Sequence, residues 1–190
     1  MGGMTDGKTI GIILQSKAFF EKDRVVTVFT EAHGLIRVLV KGASSTSFRY
    51  GARLEPLTYV HLTLRKGKSF YYLSSVDILD AFSNLKKDYN RLQFAFYCCD
   101  VLKKLCVFEQ TNMSLLTILL DTCKGLDSGH SYTTLHRSFC LNVLKSEGLI
   151  AMDRTSITEK EFEKLFVAYT GSPLVSPRFI TAAKARLNPV

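Results

Sequence analysis

Tyr59-Val60-His61-Leu62-Thr63-Leu64-Arg65-Lys66-Gly67-Lys68 is the stretch on which the fold turns. Val60, Leu62 and Leu64 alternate with Tyr59, His61, Thr63 and Arg65, the period of a strand with one buried face. Arg65-Lys66-Gly67-Lys68 then reads as a hairpin tip, and Ser69–Val76 as the returning strand. Working back from this hairpin, Thr9–Leu14 is β-branched and apolar. Arg24–Glu31 and Leu35–Lys41 form two further runs, parted by Ala32-His33-Gly34, a turn with glycine where a positive φ is expected. Five short strands with two longer connections suit a small closed barrel, which hides its edge strands by closing. Gly42–Arg53, rich in Ser, Gly and Arg, is one of those connections.

Working forward, the period changes at Ser83. Leu85, Tyr89, Leu92, Phe96, Cys99, Leu102 and Cys106 recur every three or four residues, which predicts one face of a helix with Asn84 as its N-cap. Ser114–Leu126 and Tyr132–Glu147 read as a second and a third helix. Thr158-Glu159-Lys160-Glu161 fits a capping box that opens a fourth. Ser176-Pro177 is placed to start a fifth, with proline at its first position. The class is therefore α+β: residues 1–80 form a five-stranded barrel and residues 81–190 a helical domain.

The composition is that of a folded chain: 190 residues, 46% hydrophobic and 22% charged. No apolar run approaches the roughly 20 residues of a membrane span; the N-terminus is read as lacking the apolar core of a signal peptide, and Leu187-Asn188-Pro189-Val190 is read as no lipidation box. Five cysteines, an odd number in apolar helical segments, argue against a secreted disulfide framework and place the chain in the cytoplasm. They lack the C-x-x-C pairs of structural zinc. His136 and Cys140, four apart, are read as helix packing. The net charge is +8, and residues 33–76 hold Arg37, Lys41, Arg49, Arg53, Arg65, Lys66 and Lys68 against Glu55 alone. Such a concentration attracts polyanions, nucleic acid first and anionic membrane second; the bland alternative is a solvated surface that happens to be basic.

Gly2-Gly3-Met4-Thr5-Asp6-Gly7-Lys8-Thr9 matches the phosphate-loop pattern, but only Met1 precedes it and a strand follows, so no helix N-terminus faces a phosphate. His33, His61, His130 and His136 show no metal or nucleophile–base spacing. Asp23 beside Arg24 is read as a local ion pair. No catalytic residue, metal or cofactor is assigned, and the chain is expected not to be an enzyme. Single strands are held by cations along the phosphates and flat side chains against the bases. The expected solvent row Tyr59, His61, Thr63, Arg65 carries both kinds, and Phe48-Arg49-Tyr50 puts an aromatic on each side of a cation. Tyr59 and Phe48 are equally open to covering apolar edges of the barrel.

Three runs carry a resemblance: Gly11-Ile12-Ile13-Leu14-Gln15-Ser16-Lys17; Glu21-Lys22-Asp23-Arg24-Val25-Val26-Thr27-Val28-Phe29-Thr30; and Gly34-Leu35-Ile36-Arg37-Val38-Leu39-Val40-Lys41-Gly42-Ala43. Together with Leu54-Glu55-Pro56-Leu57 and the helix from Leu135-His136-Arg137-Ser138-Phe139 to Gly148-Leu149-Ile150, they resemble the RecO family of bacterial recombination mediators. The resemblance implies an OB-fold barrel and a helical domain. It also implies binding of single-stranded and double-stranded DNA, annealing of complementary strands, and help in loading RecA on DNA coated by the single-stranded-DNA-binding protein SSB. RecR and the acidic, apolar C-terminal tail of SSB are the implied partners, with RecA engaged indirectly at the nucleoid. Many relatives carry a four-cysteine zinc module after the third helix; Met152-Asp153-Arg154-Thr155-Ser156 stands there without cysteine, so no zinc is expected, and the chain is read as shortened. The DNA-binding candidates are Arg37, Lys41, Arg49, Arg53, Tyr59, Arg65, Lys66 and Lys68. Arg137, with Phe139, Leu141 and Leu144 as apolar neighbours, is the candidate for the SSB tail, with pairing to Asp100 or Asp121 as its structural alternative. Two other classes fit the residues: a protein-interaction adaptor that uses the barrel as scaffold, and an RNA-binding OB protein.

Overall fold

The computed structural model describes residues 7–43 and 51–174. They fall into two compact units, one running to Ala81 and taking in Cys106–Leu116, the other comprising Phe82–Leu105 and the chain from Thr117 onward.

The first unit is a closed five-stranded barrel. Its strands are β1 (Gly7–Phe19), β2 (Asp23–Thr30), β3 (Gly34–Val40), β4 (Tyr59–Lys66) and β5 (Tyr71–Asp80), in the order β1-β2-β3-β5-β4. All pairings are antiparallel except β3 with β5, which closes the barrel in parallel. This is the OB-fold. The alternation read in β4 holds: Val60, Leu62 and Leu64 are buried with Ile13, Val28, Ile36, Val38 and Val76 in one core, and the odd-numbered residues point out. Gly34 makes the β2–β3 turn at φ 62, and a Cβ on it would lie 1.8 Å from the Gln110 carbonyl oxygen. Glycine is needed there twice over, for the left-handed backbone and for the close passage of the segment 106–116 along β3. That segment bonds to the strand through the Glu109 N–H, which donates to the Leu35 carbonyl at 2.9 Å.

Asp23 does not serve as the local ion-pair partner expected of it. Its Oδ1 accepts the Gly42 N–H at 2.9 Å, and Gly42 has φ 66. The carboxylate thus ties the start of β2 to the turn that leaves β3.

The second unit holds a one-turn helix α1 (Ser83–Lys87), then α2 (Tyr89–Leu105), the part of α3 (Met113–Asp127) from Thr117 on, α4 (Tyr132–Ser146) and α5 (Glu159–Thr170). The single helix expected from Ser83 is broken. Asp88 is extended, and its Oδ1 accepts the N–H groups of Asn90 and Arg91 at 2.9 and 3.1 Å, so Asp88 caps α2. Asn84 is no cap; its N–H and that of Leu85 donate to Asp127 Oδ1. The expected stripe holds only in part: Leu85, Cys99 and Leu102 are buried, but Tyr89 and Phe96 are exposed, and Phe94, Ala95, Cys98 and Val101, which lie off the stripe, are buried. Half of the expected capping box forms: Thr158 Oγ1 accepts the Glu161 N–H, while the Glu161 carboxylate accepts from Arg154. The helix expected at Ser176 lies outside the described residues.

All five cysteines are reduced thiols. Burial pushes the Cys99 thiol up to about 12 and raises those of Cys98 and Cys140 well above the ordinary range. Cys140 Sγ lies 3.5 Å from His136 Nε2, which agrees with a packing role for the pair. Among the described residues, no group of three or more His, Cys, Asp or Glu is placed to hold a metal ion, and no helix is long and apolar enough to cross a membrane.

Candidate nucleic-acid interface

The outward side chains of β3, β5 and β4 make one continuous surface. Leu39 on β3 is the register partner of Tyr72 on β5, and Tyr72 is that of Arg65 on β4. On β3 the neighbours of Leu39 on the same face are Arg37 and Lys41, both exposed. Lys41 Nζ lies 5.7 Å from the centre of the Tyr72 ring. The Arg37 guanidinium lies over the ring of Phe108, 4.4 Å from its centre, and Phe108 is itself 42% exposed. Three cations thus surround or adjoin two partly open aromatic rings, and a guanidinium on an aromatic face keeps its outer N–H edge for an anion.

The remaining expected residues divide. Lys68 is exposed in the β4–β5 turn. Lys66 is exposed but donates to Glu109 Oε2 at 2.7 Å; that hydrogen bond, and a second contact with Tyr71, raise its pKa above the ordinary lysine value. Arg53 donates to the Val76 carbonyl at 3.1 Å and lies 3.7 Å from Asp77. Tyr59 sits at the far end of β4 from Arg65, about 20 Å away at strand rise. It is half-buried, and burial followed by the negative charge of Glu31 raises its phenol pKa. Tyr59 therefore reads as cover for the barrel rather than as part of the basic end. Arg49 and the triplet Phe48-Arg49-Tyr50 lie outside the described residues. His61 and Thr63 are on the outward row as read, with Thr63 accepting from the Ser75 hydroxyl at 2.9 Å.

Sequence reasoning missed three members of this surface. Tyr72 sits next to the core residue Tyr71 in a strand with no clean alternation. Phe108 lies far from the barrel strands in sequence. Lys8, exposed on β1 as register partner of Thr63, was hidden in a dismissed phosphate-loop match. On α4, Arg137 is exposed and makes no ion pair with Asp100 or Asp121 among the described residues; Asp100 pairs with Lys103 at 2.6 Å. Phe139 and Leu144 are core residues at 1% and 0% exposure, so of the expected groove walls only half-buried Leu141 stands toward the surface.

Residues 4–82 match the family model described as the N-terminal region of recombination protein O. The DNA repair protein RecO of Anaeromyxobacter dehalogenans is 30% identical over 149 residues, 77% of this chain and 59% of that protein. The RecO of Caldicellulosiruptor bescii is 30% identical over 141 residues, 74% of this chain and 58% of that protein. The chain belongs to the RecO family. A third relative, the RecO of Alkaliphilus metalliredigens, is 29% identical over 143 residues and 58% of its own length. The chain thus spans under two thirds of the curated RecO proteins it matches. The Asp23 carboxylate holds the Gly42 N–H, so two of the runs that carry the resemblance, one at Asp23-Arg24 and one at Lys41-Gly42-Ala43, are bonded to each other in this barrel.

Proposed function

We propose that this RecO-family chain works in DNA repair and recombination by binding single-stranded DNA, and duplex DNA, without sequence preference, and that it acts by binding rather than by covalent chemistry. The observation that carries this reading is the row Arg37, Lys41, Tyr72 and Arg65 on the outer face of β3, β5 and β4. Cations spaced along strands follow a phosphate chain, and the intervening ring offers a face to a base. Arg37, Lys41, Arg65 and Lys68 make no ion pair among the described residues, so no internal pair has to be broken when a phosphate arrives.

Annealing of complementary strands follows if two strands are gathered on such a surface with their bases accessible. The reading extends to the partners expected of a RecO protein. RecR joins the chain on DNA, the SSB tail is taken through Arg137, and RecA is loaded indirectly as SSB is displaced. Titration of the full chain with labelled single-stranded DNA at several salt concentrations is the first test, and annealing of SSB-coated complementary strands with and without RecR is the second. Salt-dependent binding with annealing is the expected result. Binding that ignores salt points to the adaptor class, and preference for RNA over DNA of the same sequence points to an RNA-binding protein; either would overturn the proposal.

A further inference from the structure

The β1–β2 connection is three residues long, Phe20-Glu21-Lys22, between strands that end at Phe19 and begin at Asp23. Phe20 has φ 55, a left-handed conformation that is unfavourable for a side-chain-bearing residue and that glycine takes freely. Phe20 is 81% exposed, the most open of the large hydrophobic residues among the described residues. Neither turn geometry nor burial accounts for phenylalanine at this position.

The ring does not stand alone. Phe19 lies edge-on to it, with centres 4.4 Å apart at 67°. Phe19 also meets Phe70, with centres 5.8 Å apart at 56°. Phe70 closes the β4–β5 turn, where its carbonyl accepts the Gly67 N–H at 2.9 Å. The two turns therefore meet at one end of the barrel and present three aromatic rings. Lys17, Lys22 and Lys68 are exposed around them, with Glu21 the one acid between Phe20 and Lys22. The tip continues into the basic face, because Gly67 lies directly under the Tyr72 ring, where a Cβ would come within 2.4 Å of Cε2.

We infer that this tip is a stacking platform for unpaired bases, with Phe20 as the finger that touches them. The inference rests on the single-strand-binding reading above and names a subsite of it. Every base offers a π-face, so stacking on phenylalanine is indifferent to sequence, while the flanking lysines hold the adjoining phosphates. A protruding aromatic tip with cations around it suits a flexible, unstacked polyanion; an apolar peptide would need a concave groove.

The full chain contains no tryptophan, so Phe20→Trp places a single indole at the tip. Its emission is expected to be quenched by oligothymidylate over the same concentrations at which a labelled oligonucleotide gains anisotropy. An abasic strand of equal length, with the same phosphates and no bases, should leave the emission unchanged. Phe20→Gly relieves the left-handed phenylalanine and is expected to melt no lower than wild type. It should nevertheless bind oligothymidylate about tenfold more weakly, with affinity for the abasic strand nearly unchanged. Wild-type affinity of Phe20→Gly for oligothymidylate, or equal losses on both strands, would overturn the inference while leaving single-strand binding intact. An indole that responds to phosphatidylserine vesicles and not to oligothymidylate would assign the tip to lipid and overturn it as well. Absence of binding by the wild-type chain, read by anisotropy alone, would instead sink the functional proposal on which the inference stands.

Discussion

Replacing Arg37, Lys41 and Arg65 together by glutamate removes three of the five cations that stand on the proposed face without an ion pair among the described residues, leaving Lys8 and Lys68. For single strands each neutralised phosphate contributes about 0.7 to the slope of log K against log salt, so five contacts give a slope of about −3.5 and two give about −1.4. The same 0.7 is the electrostatic gain per contact between 1 M and 0.1 M salt. Losing three contacts should therefore cost about two powers of ten in affinity at 0.1 M salt, close to 3 kcal/mol. Repulsion by the new carboxylates adds to this. The control is Lys160→Glu with Lys164→Glu, exposed cations of α5, which should move affinity less than threefold. Fluorescence anisotropy with a labelled oligonucleotide from 50 to 400 mM salt measures both quantities, and thermal melting checks that the variants fold. Equal losses from the two sets, or a triple variant that keeps the wild-type slope, would refute the assignment of phosphates to this face.

Other expectations follow from the same contacts. Arg137→Ala should weaken binding of an SSB-tail peptide by about 1.5–3 kcal/mol, the range of a hydrogen bond to a charged group, while DNA affinity stays as it was; unchanged peptide affinity by calorimetry would remove Arg137 from that role. Asp88→Ala should lower stability by about 1 kcal/mol, through loss of the cap on α2; a denaturant midpoint equal to wild type would show that the cap is redundant. The folded state holds the Cys98, Cys99 and Cys140 thiols above their unfolded pKa. Their contribution is therefore complete below about pH 8.5 and declines above it, by about 1.4 kcal/mol per pH unit for each thiol. Denaturation at pH 8 and pH 10 should show this fall, and Cys98→Ala should lessen it; a flat profile would mean that the thiols are not sequestered. In the native protein at neutral pH, a thiol reagent should modify half-exposed Cys106 well before the others, and uniform labelling read by mass spectrometry would contradict the buried cluster.

The barrel was legible because its pattern is local. Alternation in Tyr59–Arg65 and the Gly34 turn each report on a few neighbouring residues, and closure of five strands follows from the need to hide edges. The helical half was legible in element type but only partly in phase, since Leu85, Cys99 and Leu102 are buried as read while Tyr89 and Phe96 are exposed. A stripe running through Asp88 looked continuous, because sequence spacing does not reveal that an aspartate will leave the helix and cap the next one. The site was legible as a charge excess and not as a geometry. Asp77 falls one residue outside the basic window yet pairs with Arg53. Glu109 comes 43 residues after Lys66 and returns only because its segment runs beside β3. Phe108 is brought to Arg37 by the same return. Such long-range pairings depend on closure of the fold, and no local pattern encodes them.

The most direct test is a photo-crosslink between the full chain and an oligonucleotide carrying 4-thiothymidine, with adducts located by mass spectrometry. Adducts on Tyr72, Phe108 and Lys41, suppressed by high salt, are the expected result. Adducts confined to the helical unit, on Phe82–Leu105 or the residues from Thr117 onward, would contradict DNA binding by the barrel face.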